Sequence, residues 1–213
     1  GDFGLFVNDD GTGYIIYNFC PAKFDLSVKV EPITHHQICV ERLTSDYLSS
    51  TLKSTQPIAG NVEAPAMFKR KSLYYLLFDN TCCFCDDGSG ARVYTGSEPM
   101  GPYTYRGNIN IKAPDARDLP SPFTVPGTGR ADSIIPAQQT YVATLPTPDG
   151  PIYIWMGDRW GSRPDGIKGH DFQYWSRPLE FDSDGMIKQL TWDPVITLPI
   201  EASDHVQARA RNL

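Results

Sequence analysis

The chain of 213 residues lacks any apolar run near the roughly 20 residues that a membrane-spanning helix needs, so no helical membrane anchor can be drawn within it. It lacks an excess of positive charge. Nineteen Lys and Arg stand against 25 Asp and Glu, for a net charge of −6, which argues against a nucleic-acid groove or an anionic membrane surface as partner. It lacks sustained helical periodicity, and only Tyr47 to Leu52 offers one short helical turn at most. No secretory leader is visible. The start at Gly1-Asp2-Phe3-Gly4, without Met, reads as a processed or truncated chain. A complete zinc set is missing too. The cluster Cys82-Cys83-Phe84-Cys85 has only His35-His36 and Cys39 as candidate partners, at a spacing that suits zinc poorly. Disulfides in a secreted protein fit the cysteines better. The expected pairing is Cys20 with Cys39 and one member of the cluster with another cysteine, leaving one of the five thiols free or bonded outside the chain.

The composition has a substantial core, with 40 % hydrophobic and 12 % aromatic residues, and the length suits one large domain or two small ones. Strand signals dominate. Leu5-Phe6-Val7 leads through Asp9-Asp10-Gly11 to Tyr14-Ile15-Ile16-Tyr17, and Asp-Gly between apolar runs signals a hairpin because Gly tolerates the positive φ of the turn. The design returns at Ala66 to Phe68 and Tyr74 to Phe78 around Arg70-Lys71-Ser72, and at Thr140 to Ala143 and Ile152 to Met156 around Asp149-Gly150. A weaker fourth copy runs from Leu179-Glu180-Phe181 through Asp184-Gly185 to Ile187–Trp192. Repeated hairpins without helix predict an all-β architecture in which each hairpin is the inner part of a β-propeller blade, with a β-sandwich as the alternative. Between the second and third hairpins, Pro99, Pro102, Pro114, Pro120, Pro122, Pro126 and Pro136 predict an extended, proline-stiffened loop. The expected domain spans 1–205, followed by a loosely held tail over 206–213.

Glu63 is the residue with the most chemistry in prospect. It opens Glu63-Ala64-Pro65-Ala66-Met67-Phe68-Lys69-Arg70 at the mouth of a hairpin that reads as buried. Burial penalises the charged form of a carboxyl, and an acid that keeps its proton can serve as a general acid in glycoside cleavage. The structural alternative is a turn cap or an ion pair with a nearby Arg. The 11 Tyr, 10 Phe and 4 Trp provide flat faces for sugar rings as well as core.

Four segments together resemble glycoside hydrolase family 43, and most of all its exo-β-1,3-galactanase (galactan 1,3-β-galactosidase) branch. They are Asp2 to Tyr14, Glu63 to Arg70 with Tyr74-Tyr75, Ala137-Gln138-Gln139-Thr140-Tyr141-Val142, and Met156-Gly157-Asp158-Arg159-Trp160. Gly101-Pro102-Tyr103, Gly107-Asn108 and Gln173-Tyr174-Trp175 with Pro178-Leu179 extend the likeness in order along the chain. The resemblance implies a five-bladed β-propeller with an axial pocket, incomplete in this chain at about four blades. It implies inverting hydrolysis of terminal β-1,3-linked galactose, with about 6.5–9.5 Å between acid and base. Glu63 matches the general acid, and Gln138 a glutamine that holds the water where a base carboxylate would be expected. Asp2 matches an acid that binds the terminal sugar's hydroxyls. Asp158 and Arg159 match an axial motif, Asp158 with a part in substrate binding and Arg159 a structural one. Trp160 matches a stacking position or core. No cofactor is implied, although some members carry an axial calcium.

Two departures qualify the resemblance. The chain begins where a second blade would begin, so the acidic residue that tunes the general acid is expected to be absent with the first blade. Exposed sheet edges would then be closed by another chain or segment. Cys82-Cys83-Phe84-Cys85 also stands where the branch has Thr-Gly-Trp in its sugar pocket. The expected function is an extracellular glycosidase acting on polysaccharide or glycoprotein glycans. The alternative is a non-catalytic carbohydrate-binding or assembly propeller. The expected partners are carbohydrate and the closing chain or segment, with neither nucleic acid nor membrane.

Overall fold

The computed structural model describes residues 1–19, 36–60, 62–80, 88–112, 133–161, 165, 167 and 173–198. They form twelve strands: β1 (Phe3–Val7), β2 (Gly13–Phe19), β3 (Gln37–Leu43), β4 (Ser50–Ser54), β5 (Ala59–Gly60), β6 (Val62–Arg70), β7 (Leu73–Asn80), β8 (Arg92–Gly96), β9 (Thr104–Asn108), β10 (Gln138–Leu145), β11 (Ile152–Asp158) and β12 (Gln173–Pro178). The all-β expectation holds among the described residues. Three antiparallel meanders result, in the orders β1-β2-β3-β4 (with β5 also on β3), β6-β7-β8-β9 and β10-β11-β12. The first strand of each sheet meets that of the next, since β6 packs against β1 on one side and β10 on the other. The chain thus lays blade-like sheets side by side with their leading strands adjoining.

All four expected hairpins are present, the fourth in short form. In the first, Gly11 takes a φ of 79° and donates its N–H to Asn8 O at 2.9 Å, while Thr12 N donates to Asp10 Oδ1. The third closes at Gly150 with φ 108°, whose N–H reaches Thr147 O. The fourth is a short hairpin with one bridge. Phe181 pairs with Ile187, Gly185 takes a φ of 81°, and Asp182 N donates to Met186 O and Lys188 N to Glu180 O, both at 2.9 Å. At its outer ends Leu179 N and Leu190 N donate to Tyr153 O and Ile109 O, which tie the hairpin to the third and second sheets. Two expectations are corrected. The Tyr47–Leu52 stretch is not helical: Tyr47 and Leu52 have positive φ, and the Tyr47 hydroxyl reaches across to Gly11 O at 2.7 Å. The proline-rich segment is not wholly a loop, because β9 runs through it and pairs with β8.

The middle sheet is buried on both faces, and its alternation sorts side chains into two cores. Phe68, Tyr75, Leu77 and Val93 face the third sheet with Trp155. Met67, Leu76, Phe78 and Tyr94 face the first sheet with Ile16, Ile38 and Val40. Successive strand residues point to opposite faces, so neighbours such as Leu76 and Leu77 enter different cores. An aromatic cluster locks the seam between the second and third sheets. Phe68 stacks on Tyr75 with centroids 4.7 Å apart, Tyr153 lies 4.8 Å from Phe68, and Phe181 meets these rings edge-on.

The disulfide between Cys20 and Cys39 is not borne out. Cys39 is a free, buried thiol on β3, with its side chain turned to Ser54 and Thr55. Burial raises its pKa, so it remains a protonated packing group. Cys20, Cys82, Cys83 and Cys85 lie outside the described residues, as does the tail over 206–213.

Candidate active site

Glu63 sits one residue into β6, at a break in the register between Glu63 and Ala66. Ala64 adopts a φ of 52° there, and Pro65, which has no N–H to give to a ladder, follows. Such a bulge re-aims side chains and frees backbone groups. The freed Ala64 N–H donates to Asp2 Oδ2 at 3.1 Å, and Ala64 O accepts from Gln139 Nε2 at 3.4 Å. A second irregularity lies opposite, between Gln139 and Tyr141 on β10. The two disturbed strand openings face each other and carry the site between them.

Glu63 is 3 % exposed and Gln138 8 %. Gln138 Nε2 donates to Glu63 Oε1 at 3.2 Å, and Gln138 Oε1 accepts from the indole N–H of Trp160 at 2.9 Å. Trp is a donor only, so the amide oxygen must face the indole and the NH₂ must face the carboxyl. Gln139 beside it is held by Trp155 Nε1, which donates to its Oε1 at 2.6 Å. On the other flank His36 Nδ1 lies 3.7 Å from Glu63 Oε2 and 2.8 Å from Asn18 Nδ2.

A pocket of about 420 Å³ opens in front of this pair, and Asp2, Phe3, Ala64, Gln138, Asp158 and Trp160 line it. Its size lies in the ordinary range for small-molecule sites. Asp158 stands directly across the β10–β11 ladder from Gln138 and is half-buried, and that burial raises its carboxyl pKa. Four of the five residues expected at the site therefore border one pocket, with Glu63 immediately behind Gln138. Asp2 is exposed, and one of its oxygens is spent on Ala64 N–H. Arg159 does not join them. Its guanidinium lies 4.8 Å over the Trp192 ring, and its buried Nε has no hydrogen-bond partner.

The separation of the proposed acid and water-holding amide differs from the sequence expectation. They are in direct contact, well short of the roughly 6.5–9.5 Å that brackets a scissile bond and its attacking water. One of them must swing aside for the two to act across a sugar.

Two residues of the site escaped the sequence reading. Asp79 ends the apolar run of β7 and pairs in register with Glu63. It is fully buried and accepts a hydrogen bond from Ser89 Oγ. Burial, and next the charge of Glu63, push its carboxyl well above the ordinary aspartate range. The available signal was an acid at a core-facing position of an otherwise apolar strand. His36 carried no such signal, because only the fold brings it to Glu63.

No family model and no curated protein sequence matches the chain. Solved structures do. A glycoside hydrolase family 43 β-1,3-galactosidase, solved with galactodeoxynojirimycin, is similar over 92 % of this chain, with a TM-score of 0.62 and 24 % identity. An exo-β-1,3-galactanase from Clostridium thermocellum is similar over 90 %, at 0.58 and 21 %. A family 43 arabinoxylan arabinofuranohydrolase from Bacillus subtilis, in complex with cellotetraose, is similar over 94 %, at 0.58 and 22 %. The chain thus has the fold of family 43 glycoside hydrolases. It spans 46 %, 34 % and 39 % of those chains, less than half of each.

Proposed function

We propose that this chain is part of an extracellular glycoside hydrolase that removes terminal β-1,3-linked galactose from polysaccharide or glycoprotein glycans with inversion. The observation that carries the reading is the buried Glu63–Gln138 pair behind a pocket lined by Trp160, Asp2 and Asp158. Trp160 offers a flat apolar face to a pyranose ring, and its indole N–H orients Gln138. Asp2 and Asp158 supply acceptors for sugar hydroxyls. Glu63 gives its proton to the leaving oxygen, and the Gln138 amide, once turned from Glu63, holds the attacking water on the opposite face. Support for galactose comes from the β-1,3-galactosidase and exo-β-1,3-galactanases that share the fold.

A preceding segment or another chain closes the ring against the first sheet. There Phe3, Leu5 and Val7 are 63, 55 and 56 % exposed along one edge strand. Unpaired apolar edges of this kind are normally covered.

The test is release of galactose from β-1,3-galactobiose by the full-length protein and its Glu63→Gln variant. Loss of a general acid lowers the rate by about 10²–10⁴. Equal rates remove Glu63 from the chemistry.

The direct Glu63–Gln138 contact favours a second reading, a carbohydrate-binding propeller without catalysis. Saccharide binding that weakens in Trp160→Ala, with no hydrolysis by the full-length protein, selects it.

A further inference from the structure

Glu63 faces β10 only because β6 carries one extra residue. Successive strand residues alternate between the two faces of a sheet. By that count Glu63 would share its side of β6 with Met67, which lies in the core against the first sheet. The pairing is different. Glu63 pairs with Asp79 and Ala66 with Leu77, so three steps along β6 answer two along β7. The inserted residue turns Glu63 to the side that carries Phe68, Tyr75 and Leu77, which faces the third sheet and Gln138.

That bulge has to be held. Ala64 adopts a φ of 52°, uncommon for a residue with a Cβ, and a residue before proline favours the extended region. Such a conformation persists where its surroundings over-determine it. Two side chains grip Ala64. Its N–H donates to Asp2 Oδ2 at 3.1 Å, and its carbonyl accepts from Gln139 Nε2 at 3.4 Å. Gln139 is fully buried, and its amide can sit only one way round. Trp155 Nε1 donates to its Oε1 at 2.6 Å, and an indole cannot accept, so the NH₂ is left to face Ala64 O. The indole itself lies against Gly157, where a Cβ would come within 2.5 Å of Trp155 Cη2 and 2.9 Å of Gln138 O. Trp155, Gln139 and Ala64 thus form one chain of contacts from the third sheet to the residue after Glu63.

We propose that Gln139 is a positioning residue for Glu63: oriented by Trp155, it holds Ala64 in the left-handed conformation that turns Glu63 toward Gln138 and the pocket. Without its grip on the carbonyl, Ala64 returns to the extended backbone that a residue before proline favours, and Glu63 turns toward the first sheet. The consequence for catalysis rests on the proposed glycosidase reading, while the control of Ala64 does not.

The experiment combines a crystal structure of the Gln139→Met variant of the full-length protein with its kinetics on β-1,3-galactobiose. In the structure Ala64 is expected to leave positive φ and the Glu63 carboxyl to leave Gln138. Ala64 remaining at positive φ with Glu63 in place overturns the proposal. If Gln139→Met does not fold, Gln139→Asn decides by the same observation, since it is one methylene too short to reach both Trp155 and Ala64. In the kinetics kcat is expected to fall by about 10–10²-fold at unmoved KM, the mark of a misplaced catalytic group. The double variant Gln139→Met/Ala64→Gly is expected to recover most of that loss, because glycine takes positive φ without being held there. A merely structural Gln139 would lower the unfolding midpoint and the rate together, and Ala64→Gly would restore neither; that result also overturns the proposal. If the full-length protein cleaves nothing but Ala64 moves as stated, the glycosidase reading fails and the grip on Ala64 stands. If galactobiose is cleaved and the variant keeps both its kcat and the Ala64 conformation, the grip fails and the glycosidase reading stands.

Discussion

The first and middle sheets are built from similar hairpins yet treat their side chains in opposite ways. Along β1 every second residue faces outward, with Phe3, Leu5 and Val7 exposed and Gly4 buried. Gly4 is small for a reason: a Cβ there would lie 2.6 Å from Pro65 O on β6. Along β6 and β7 nearly every residue is buried, because another sheet covers each face. A strand covered on one side can place a charge in water at every other step. A strand covered on both sides can keep an acid only as a partnered or protonated group. The middle sheet therefore holds Glu63 and Asp79, and the first contributes Asp2 at the pocket rim.

The contrast can be broken in several places. Its largest expected effect is catalytic: Glu63→Gln in the full-length protein should lower galactobiose cleavage by about 10²–10⁴, measured as initial rate with binding followed separately. The next is structural. Phe78→Ala, at a site with no exposure, should cost about 3–5 kcal/mol in urea unfolding.

A smaller effect is expected in the pH dependence of stability. The folded-state pKa of Asp79 lies above its unfolded value, so the folded protein binds more protons between the two. Stability should fall as pH rises from the ordinary aspartate range toward the raised one. Asp79→Asn should flatten that slope, as unfolding midpoints across pH would record. The smallest effect belongs to the first sheet. Leu52→Ala, 88 % exposed on β4, should change stability by no more than about 0.5 kcal/mol. A large loss there would mean that a partner covers this surface.

Much of the fold was legible because turn chemistry and apolar alternation act over a few residues. Asp10-Gly11 and Asp149-Gly150 announced their hairpins, and β6–β7 was readable from its apolar runs. The fourth hairpin carried the same local signals and formed only one bridge, since the N–H groups at its outer ends, Leu179 and Leu190, found partners beside neighbouring sheets. β3, β8 and β12 had no tight turn to mark them and became strands by adding to hairpins already there. In the site, the order of motifs brought Glu63, Gln138, Asp2, Asp158 and Trp160 into consideration, and all five lie in or directly behind one pocket. Arg159 was close in sequence but turned away onto Trp192.

The sequence by itself determined that the chain is built of short antiparallel hairpins and which acid opens the second of them. Those properties follow from backbone preferences and side-chain periodicity, which need no distant contact. Tertiary structure alone decided that Asp79 lies across the ladder from Glu63, that Gln138 is clamped between Trp160 and that acid, and that Cys39 packs as a free thiol. Each depends on register and on which sheet covers which face, and both are set only when residues far apart in the chain exclude water together.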